Sequence, residues 1–259
     1  MNNIQMLVTD LDGTLLTSDK TISEYTRTVL QRCRQAGIKV VYATGRLGSA
    51  EFFAPSALFD GKIIGNGATA RIGDEVVYSC RIPHEVARPL LIACNTHGMK
   101  VASEANGTRY TNFRATDFWS DALEYTMTDF AQYNMDSEKI YLPQSSLENQ
   151  VLVDSWLPDM LYSVMTTDPT GPFLSICHKD ATKAKAVAEL ARLWGIAPEN
   201  IVAFGDELND VDMLEYAGIG VAMGNAMDEV KQVAAYVCDT NDNDGPAKWA
   251  AAHILQGPA

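Results

Sequence analysis

What most narrows the possible folds is a strand–helix–strand grammar that occurs near both ends of the chain, with a differently textured stretch between. Ile4 to Thr9 is a short apolar run that ends abruptly in acidic and glycine residues, the pattern of a buried strand. Ser23 is placed to cap a helix whose apolar positions Val29, Leu30, Cys33 and Ala36 share one face, and Gly37 stops it. Ile38 to Ala43 reads as a second buried strand and Ile63-Ile64 as a third. Two strands joined by a helix of this length require a crossover, which is right-handed and makes the strands parallel.

The same grammar returns after residue 180. Thr182 opens a helical pattern through Ala184, Val187, Ala188, Ala191 and Trp194 that ends at Gly195. Ile201 to Phe204 is the next strand, Asp210 to Tyr216 a short helix, Ile219 to Met223 another strand, and Ala234 to Cys238 one more. Between about Ile82 and Ile176 the glycine-ended units give way to longer, more polar stretches carrying Tyr110, Phe113, Phe118, Trp119, Tyr125, Phe130, Tyr133 and Tyr141. Helices are expected there over Glu85 to His97 and Ser145 to Leu152. The expected architecture is α/β: a parallel-sheet core formed by residues 1–81 and 179–259, split by an inserted α+β domain over 82–178. The insert's aromatics read as the core of a small domain before they read as a stacking site for a ligand.

Charge restricts the partners. A formal net charge of −13 without a Lys/Arg cluster argues against nucleic acid, because a phosphate backbone needs concentrated cations. It does not argue against a small phosphate, which a metal or a helix N-terminus can hold locally. No stretch approaches the roughly 20 uninterrupted apolar residues of a spanning helix, and the first six residues carry no basic stretch. The five cysteines, Cys33, Cys80, Cys94, Cys177 and Cys238, are scattered and odd in number. They fit small core residues in a reducing compartment, and the expected location is cytoplasmic. His84, His97, His178 and His253 are dispersed and suggest no ligand spacing.

In an open parallel sheet, functional groups collect just past the carboxyl ends of the strands. Four such positions here are chemically loaded. Asp10-Leu11-Asp12-Gly13-Thr14 follows the first strand; two carboxylates two residues apart can point differently, one as nucleophile and metal ligand, the other exchanging a proton with the leaving oxygen. Taken alone, it also fits an ordinary Asp-Gly turn. Thr44-Gly45-Arg46 follows the second strand, where a hydroxyl and free N–H groups can hold phosphate oxygens, or simply cap a helix. Lys183 begins the helix opened by Thr182 and can pair with phosphate, with Lys179 and Lys185 competing for that role. Gly205-Asp206-Glu207-Leu208-Asn209-Asp210 offers hard oxygen ligands suited to magnesium, although acids also complement a helix dipole. Each bland reading stands by itself; four loaded strand ends together favour chemistry.

At this point the residues resemble the haloacid dehalogenase-like superfamily of phosphatases. The resemblance rests on Asp-Leu-Asp-Gly-Thr-Leu-Leu at 10–16, Ala-Thr-Gly-Arg at 43–46, Lys183, and Gly-Asp-Glu-Leu-Asn-Asp at 205–210. Gly65-Asn66-Gly67-Ala68, Ala222-Met223-Gly224-Asn225-Ala226, Asp244-Gly245 and an insert after the third core strand are similar to its Cof-type subfamily. The resemblance implies a Rossmann-like core with a mobile α/β cap that sets substrate specificity. It implies Asp10 as nucleophile and Asp12 as general acid, then base. It implies Mg²⁺ held by the Asp10 carboxylate, the Asp12 carbonyl and Asp206, with Asp210 supporting, and a phosphoryl group bound by Thr44, Gly45, Lys183 and Asn209. Arg46 and Asn66 are expected to be able to approach substrate from the core side, and Arg109, Asp117 and Trp119 are candidates in the cap. A proton that Asp12 holds in one step and releases in the next is expected to be favoured by acidic surroundings.

The expected reaction is hydrolysis of a small phosphorylated metabolite, by default a sugar phosphate, with nucleotide, flavin and pyridoxal phosphates as alternatives. A phosphomutase would share the nucleophile and metal and would need a bisphosphate activator. A non-enzymatic sensor of phosphorylated metabolites would not need both Asp10 and Asp12. A nucleotide-cofactor protein is set aside because no Gly-x-Gly-x-x-Gly turn follows the first strand.

Overall fold

The computed structural model of the chain describes residues 4–119, 124–168 and 171–255; the first three residues of the N-terminal segment considered above lie outside these. The chain forms two compact units, Met1–Ser79 with Thr182–Ala259, and Cys80–Ala181.

The first unit is built on an eight-stranded sheet. In chain order its strands are β1 (Met6–Thr9), β2 (Lys39–Ala43), β3 (Gly61–Ile64), β4 (Thr69–Ile72) and β5 (Glu75–Ser79) before the second unit, with β12 (Ile201–Gly205), β13 (Ile219–Ala222) and β14 (Tyr236–Val237) after it. Their spatial order is β14-β13-β12-β1-β2-β3-β4-β5. Every neighbouring pair from β14 to β3 is parallel. The expected parallel-sheet core is present, and at one edge β4 and β5 extend it as an antiparallel hairpin. Tight turns at Gly65–Gly67 and Gly73 reverse the chain with no crossover helix, and parallel pairing needs one.

Alternation along β1 sends Leu7 into one apolar layer and Met6 and Val8 into the other. Helices α1 (Glu24–Gln35) and α8 (Gly245–His253) cover the first layer, and α5 (Lys183–Trp194), α6 (Val211–Tyr216) and α7 (Asp228–Val233) cover the second. Ser23 caps α1 by accepting from the Thr26 N–H, and Val29, Leu30 and Cys33 are buried. Ala36, expected on that face, is instead the exposed C-cap. Thr182 caps α5 and Gly195 closes it with φ +67°. The buried stripe of α5 is Ala186, Val187, Leu190 and Ala191 with Lys183 at its head, rotated from the expected set, in which Ala184 and Ala188 stood. A short helix α2 (Ala50–Phe53) follows β2.

The second unit has a six-stranded sheet of order β10-β11-β9-β6-β7-β8. Its strands are β6 (Ala102–Ala105), β7 (Thr108–Thr111), β8 (Thr126–Met127), β9 (Lys139–Pro143), β10 (Leu161–Asp168) and β11 (Gly171–His178), antiparallel except for β7 with β8. Helices α3 (His84–Thr96) and α4 (Leu147–Asp154) belong to it. Phe130 and Tyr133 lie in its main core, and Phe113 and Tyr141 in a smaller aromatic cluster that Phe118, Trp119 and Phe173 pack against. His84 comes together with Glu85 and Asp136. Asp136 there accepts from the His84 backbone N–H at 2.9 Å and so serves the start of α3. Among the described residues no helix is long and apolar enough to cross a membrane.

Candidate active site

The loaded segments converge at the carboxyl edge of the first unit's sheet. β1 is central, flanked by β2 and β12, with Thr9 paired to both Tyr42 and Phe204. Residues just past these strands are therefore neighbours: Asp10, Thr44 and Asp206. The Asp10 N–H donates to the Phe204 carbonyl and the Thr44 N–H to the Ile63 carbonyl, so the ladder runs right up to the site.

Asp10 is buried, and its Oδ1 accepts from Lys183 Nζ at 2.6 Å. The same ammonium donates to Asp210 Oδ1 at 2.6 Å. Lys183 is only 1 % exposed, and the competing Lys179 and Lys185 are exposed. A lysine in the apolar stripe of α5 is tolerable because two carboxylates receive it; without them desolvation would cost several kcal/mol (~). Asp210 Oδ2 accepts from the backbone N–H groups of Asp206 and Glu207, at 3.0 and 3.1 Å. Both Asp210 oxygens are thus engaged, and the residue ties the turn after β12 to Lys183. Gly205 is required there because a Cβ would collide with the Asp210 side chain. Gly13, with φ +78°, is required for the matching reason: a Cβ would collide with the Asp206 carboxylate. Thr14 Oγ1 donates to Asp206 Oδ1 at 2.6 Å, binding the two acidic turns together across 192 residues of sequence.

Asp10, Asp206 and Asp210 each offer an oxygen within 4.8 Å of the others. Burial pushes the Asp10 carboxyl up, Lys183 opposes this, and Asp210 and Asp206 add to the rise. Asp206 is pushed up to about 6, first by burial, against the pull of Thr14, and then by Asp210 and Glu207. When ionised, the three carboxylates exceed the one ammonium by two negative charges. That excess, on hard oxygen donors, fits a divalent cation such as Mg²⁺.

Asp12 points elsewhere. Arg46 donates to it through Nε at 2.5 Å and Nη2 at 2.7 Å, and Lys20 through Nζ at 2.7 Å. Burial works to raise the Asp12 carboxyl, but the Arg46 and Lys20 contacts outweigh it and hold the group below the usual carboxylate range. The expected acidic surroundings are thus corrected: Asp12 faces cations, because Arg46 and Lys20 both donate to its carboxylate. Lys20 was not visible as a site residue in the sequence, since it reaches Asp12 only through a left-handed backbone at φ +58°. Arg46 also lies over the Phe53 ring, 4.2 Å from its centroid. Thr44 is buried, its Oγ1 accepting from the Arg46 N–H at 3.1 Å. Asn209, exposed at the rim, donates to Asn66 Oδ1 at 3.0 Å, and Gly45 leaves room for that Asn66 oxygen. Asp10, Lys183, Asp206 and Asp210 therefore form one buried group, and Asp12, Arg46 and Lys20 an adjoining, more open one. Arg109, Asp117 and Trp119 belong to the second unit, where Arg109 pairs with the buried Glu104 and lies over the Trp119 ring.

Residues 7–249 match the haloacid dehalogenase-like hydrolase family. The chain is 30 % identical over 260 residues to the 5-amino-6-(5-phospho-D-ribitylamino)uracil phosphatase YitU of Bacillus subtilis, covering 94 % of this chain and 95 % of that protein. It is 28 % identical to the pyridoxal phosphate phosphatase YbhA of Escherichia coli, covering 97 % and 99 %. The solved structure of the subclass IIB sugar phosphatase BT4131 aligns with a TM-score of 0.77 at 28 % identity, covering 96 % of this chain and 98 % of that one. The chain belongs to the haloacid dehalogenase-like hydrolase family, and with named phosphatases matched along their whole length it is a phosphoric monoester hydrolase.

Proposed function

We propose that the chain is a Mg²⁺-dependent phosphatase that hydrolyses a small phosphate monoester, by preference a sugar phosphate, through an aspartyl-phosphate on Asp10. The observation that carries this reading is the buried Asp10 carboxylate, held by Lys183 within one acidic cluster with Asp206 and Asp210. The Asp10 and Asp206 carboxylates and the Asp12 carbonyl would hold the ion, and Asp210 would support them through Lys183 and the turn after β12. When bound, Mg²⁺ offsets the repulsion between a carboxylate and a phosphate dianion.

In this reading the side chains divide the work by position. Asp10 attacks phosphorus, and its negative charge is balanced by Lys183. Thr44 and Gly45, after β2, present a hydroxyl and backbone N–H groups to the phosphoryl oxygens, and Asn209 and Arg46 approach from the rim. Asp12 gives a proton to the departing alkoxide and then takes one from the water that cleaves the acyl phosphate. Its pairs with Arg46 and Lys20 hold it ready as a base. For the acid role those contacts have to loosen once substrate phosphate arrives. The second unit would serve as the cap that excludes water and reads the leaving group. The five cysteines, all free thiols, support a cytoplasmic setting. The sugar-phosphate preference rests on the names of the relatives, a phosphoribityl compound and a sugar phosphate among them.

The test is Asp10→Asn assayed on p-nitrophenyl phosphate, with circular dichroism to confirm the fold. Turnover is expected to vanish, and near-normal hydrolysis by the variant would refute the nucleophile. Dialysis against EDTA should abolish activity and added Mg²⁺ restore it. Release of inorganic phosphate with no bisphosphate activator separates hydrolysis from phosphomutation. Ranking phosphorylated metabolites by kcat/KM then identifies the substrate.

A further inference from the structure

The loop after β13, Met223 to Met227, touches both acidic turns. Asn225 Nδ2 donates to the Gly13 carbonyl at 2.8 Å, and the Met227 N–H donates to the Asp206 carbonyl at 3.1 Å. Five residues therefore bridge the turn that carries Asp10 and Asp12 to the turn that carries Asp206. The Asn225 amide is fixed in turn: its Oδ1 accepts from the Asn241 N–H at 3.1 Å, which leaves Nδ2 facing Gly13. The Asn241 side chain donates to the Leu16 carbonyl at 2.9 Å, and Asp242 accepts from the Ser18 N–H and hydroxyl, each at 2.7 Å. The segment Asn241 to Asp244 thus straps the chain at Leu16 and Ser18, just beyond Gly13. Asp244 extends the strap to α1 by accepting from Ser23 and Thr26.

Gly13 is the residue for which this restraint matters. With φ +78° and no side chain it is the softest backbone in the turn, and it sits against Asp206. A donor on its carbonyl restrains this turn where it lies against Asp206. We infer that Asn225, oriented by Asn241, is a positioning residue that sets the spacing of the Asp10–Asp12 turn and Asp206, and so the Mg²⁺ affinity of the site. Partners one step removed from metal ligands commonly act in this way. The inference rests on the metal site proposed above.

The experiment is calorimetric titration of the substrate-free protein with MgCl₂, comparing wild type, Asp206→Ala, Asn225→Ala and Asn241→Ala, beside thermal unfolding in EDTA and kcat and KM on p-nitrophenyl phosphate. Wild type should bind one Mg²⁺ and Asp206→Ala none. Asn225→Ala should weaken Mg²⁺ by about tenfold, lower kcat at limiting Mg²⁺, and leave the unfolding midpoint in EDTA close to that of wild type. Asn241→Ala, which keeps the backbone N–H facing Asn225, should weaken it less. An Asn225→Ala affinity within twofold of wild type, or a lowered midpoint with unchanged affinity, overturns the inference while leaving the metal site standing. No saturable binding by wild type overturns both.

Discussion

Lys183→Met tests the electrostatic frame of the site without changing its shape much. The ammonium is 1 % exposed and makes two 2.6 Å contacts, to Asp10 and Asp210, and Met retains most of the stem. Removing one partner from a buried ion pair leaves its counter-charges uncompensated, at a cost of about 3–5 kcal/mol. At roughly 2–4 °C per kcal/mol for a domain of this size, the unfolding midpoint in EDTA should fall by about 6–20 °C. The sign of the pH dependence follows from the carboxylates. Asp10 and Asp206 are already raised by burial, and loss of Lys183 raises both further. A group raised above its unfolded value stabilises the fold at low pH and loses that contribution as pH climbs through its folded pKa. The deficit of the variant should therefore be smaller near pH 5 than near pH 8, and Mg²⁺ should recover more stability in the variant than in wild type. Calorimetry at the two pH values, with EDTA and with Mg²⁺, measures all three. A loss under about 1 kcal/mol, or a deficit that grows on acidification, would show that the cluster is not held by this charge balance.

Three further outcomes are expected. Asp12→Ala should slow esters with poor leaving groups far more than p-nitrophenyl phosphate, because an activated phenol departs with little protonation; equal losses on both substrate types count against the acid role. Gly13→Ala should cut kcat by about 100-fold or more while far-ultraviolet dichroism stays native, since its Cβ displaces the Asp206 carboxylate and its φ of +78° strains any other residue; activity within a few-fold of wild type would contradict the close packing described. In the second unit, Glu104→Ala should destabilise by about 1–3 kcal/mol in urea titrations, as it strips the buried acceptor shared by Arg109 and Tyr141; a change below about 0.5 kcal/mol speaks against that network.

The sequence carried the framework where local chemistry and topology coincide. Ser23 and Thr182 mark helix starts through their own hydroxyls, Gly195 marks a helix end through its left-handed backbone, and the apolar runs of β1 and β12 end at the acids that follow them. What it concealed depends on direction in space. The β4–β5 hairpin is short and only partly buried, so its apolar pattern is weak and its antiparallel pairing unmarked. Lys183 stands four residues after Lys179 and two before Lys185 in the sequence; only the rotation of α5 against the sheet aims Lys183 at Asp10. Asp12 gains cations instead of acids because Lys20, eight residues on, turns back through an unusual φ. Asn225 stands in a legible motif, but its hydrogen bond to Gly13 spans 212 residues, and no local pattern encodes such a contact.

The distance along the chain between the facing acids has a consequence for synthesis. Asp10 emerges from the ribosome early, whereas Lys183, Asp206 and Asp210 follow only after the whole Cys80–Ala181 unit has been made. A nascent chain halted before residue 183 carries an Asp10 with neither its lysine partner nor a facing acid, so it has neither the charge balance nor the oxygen set of the finished cluster. Only a chain extended past Asp210 can assemble the buried cluster, so the stretch from Lys183 to Asp210 completes what the first ten residues begin.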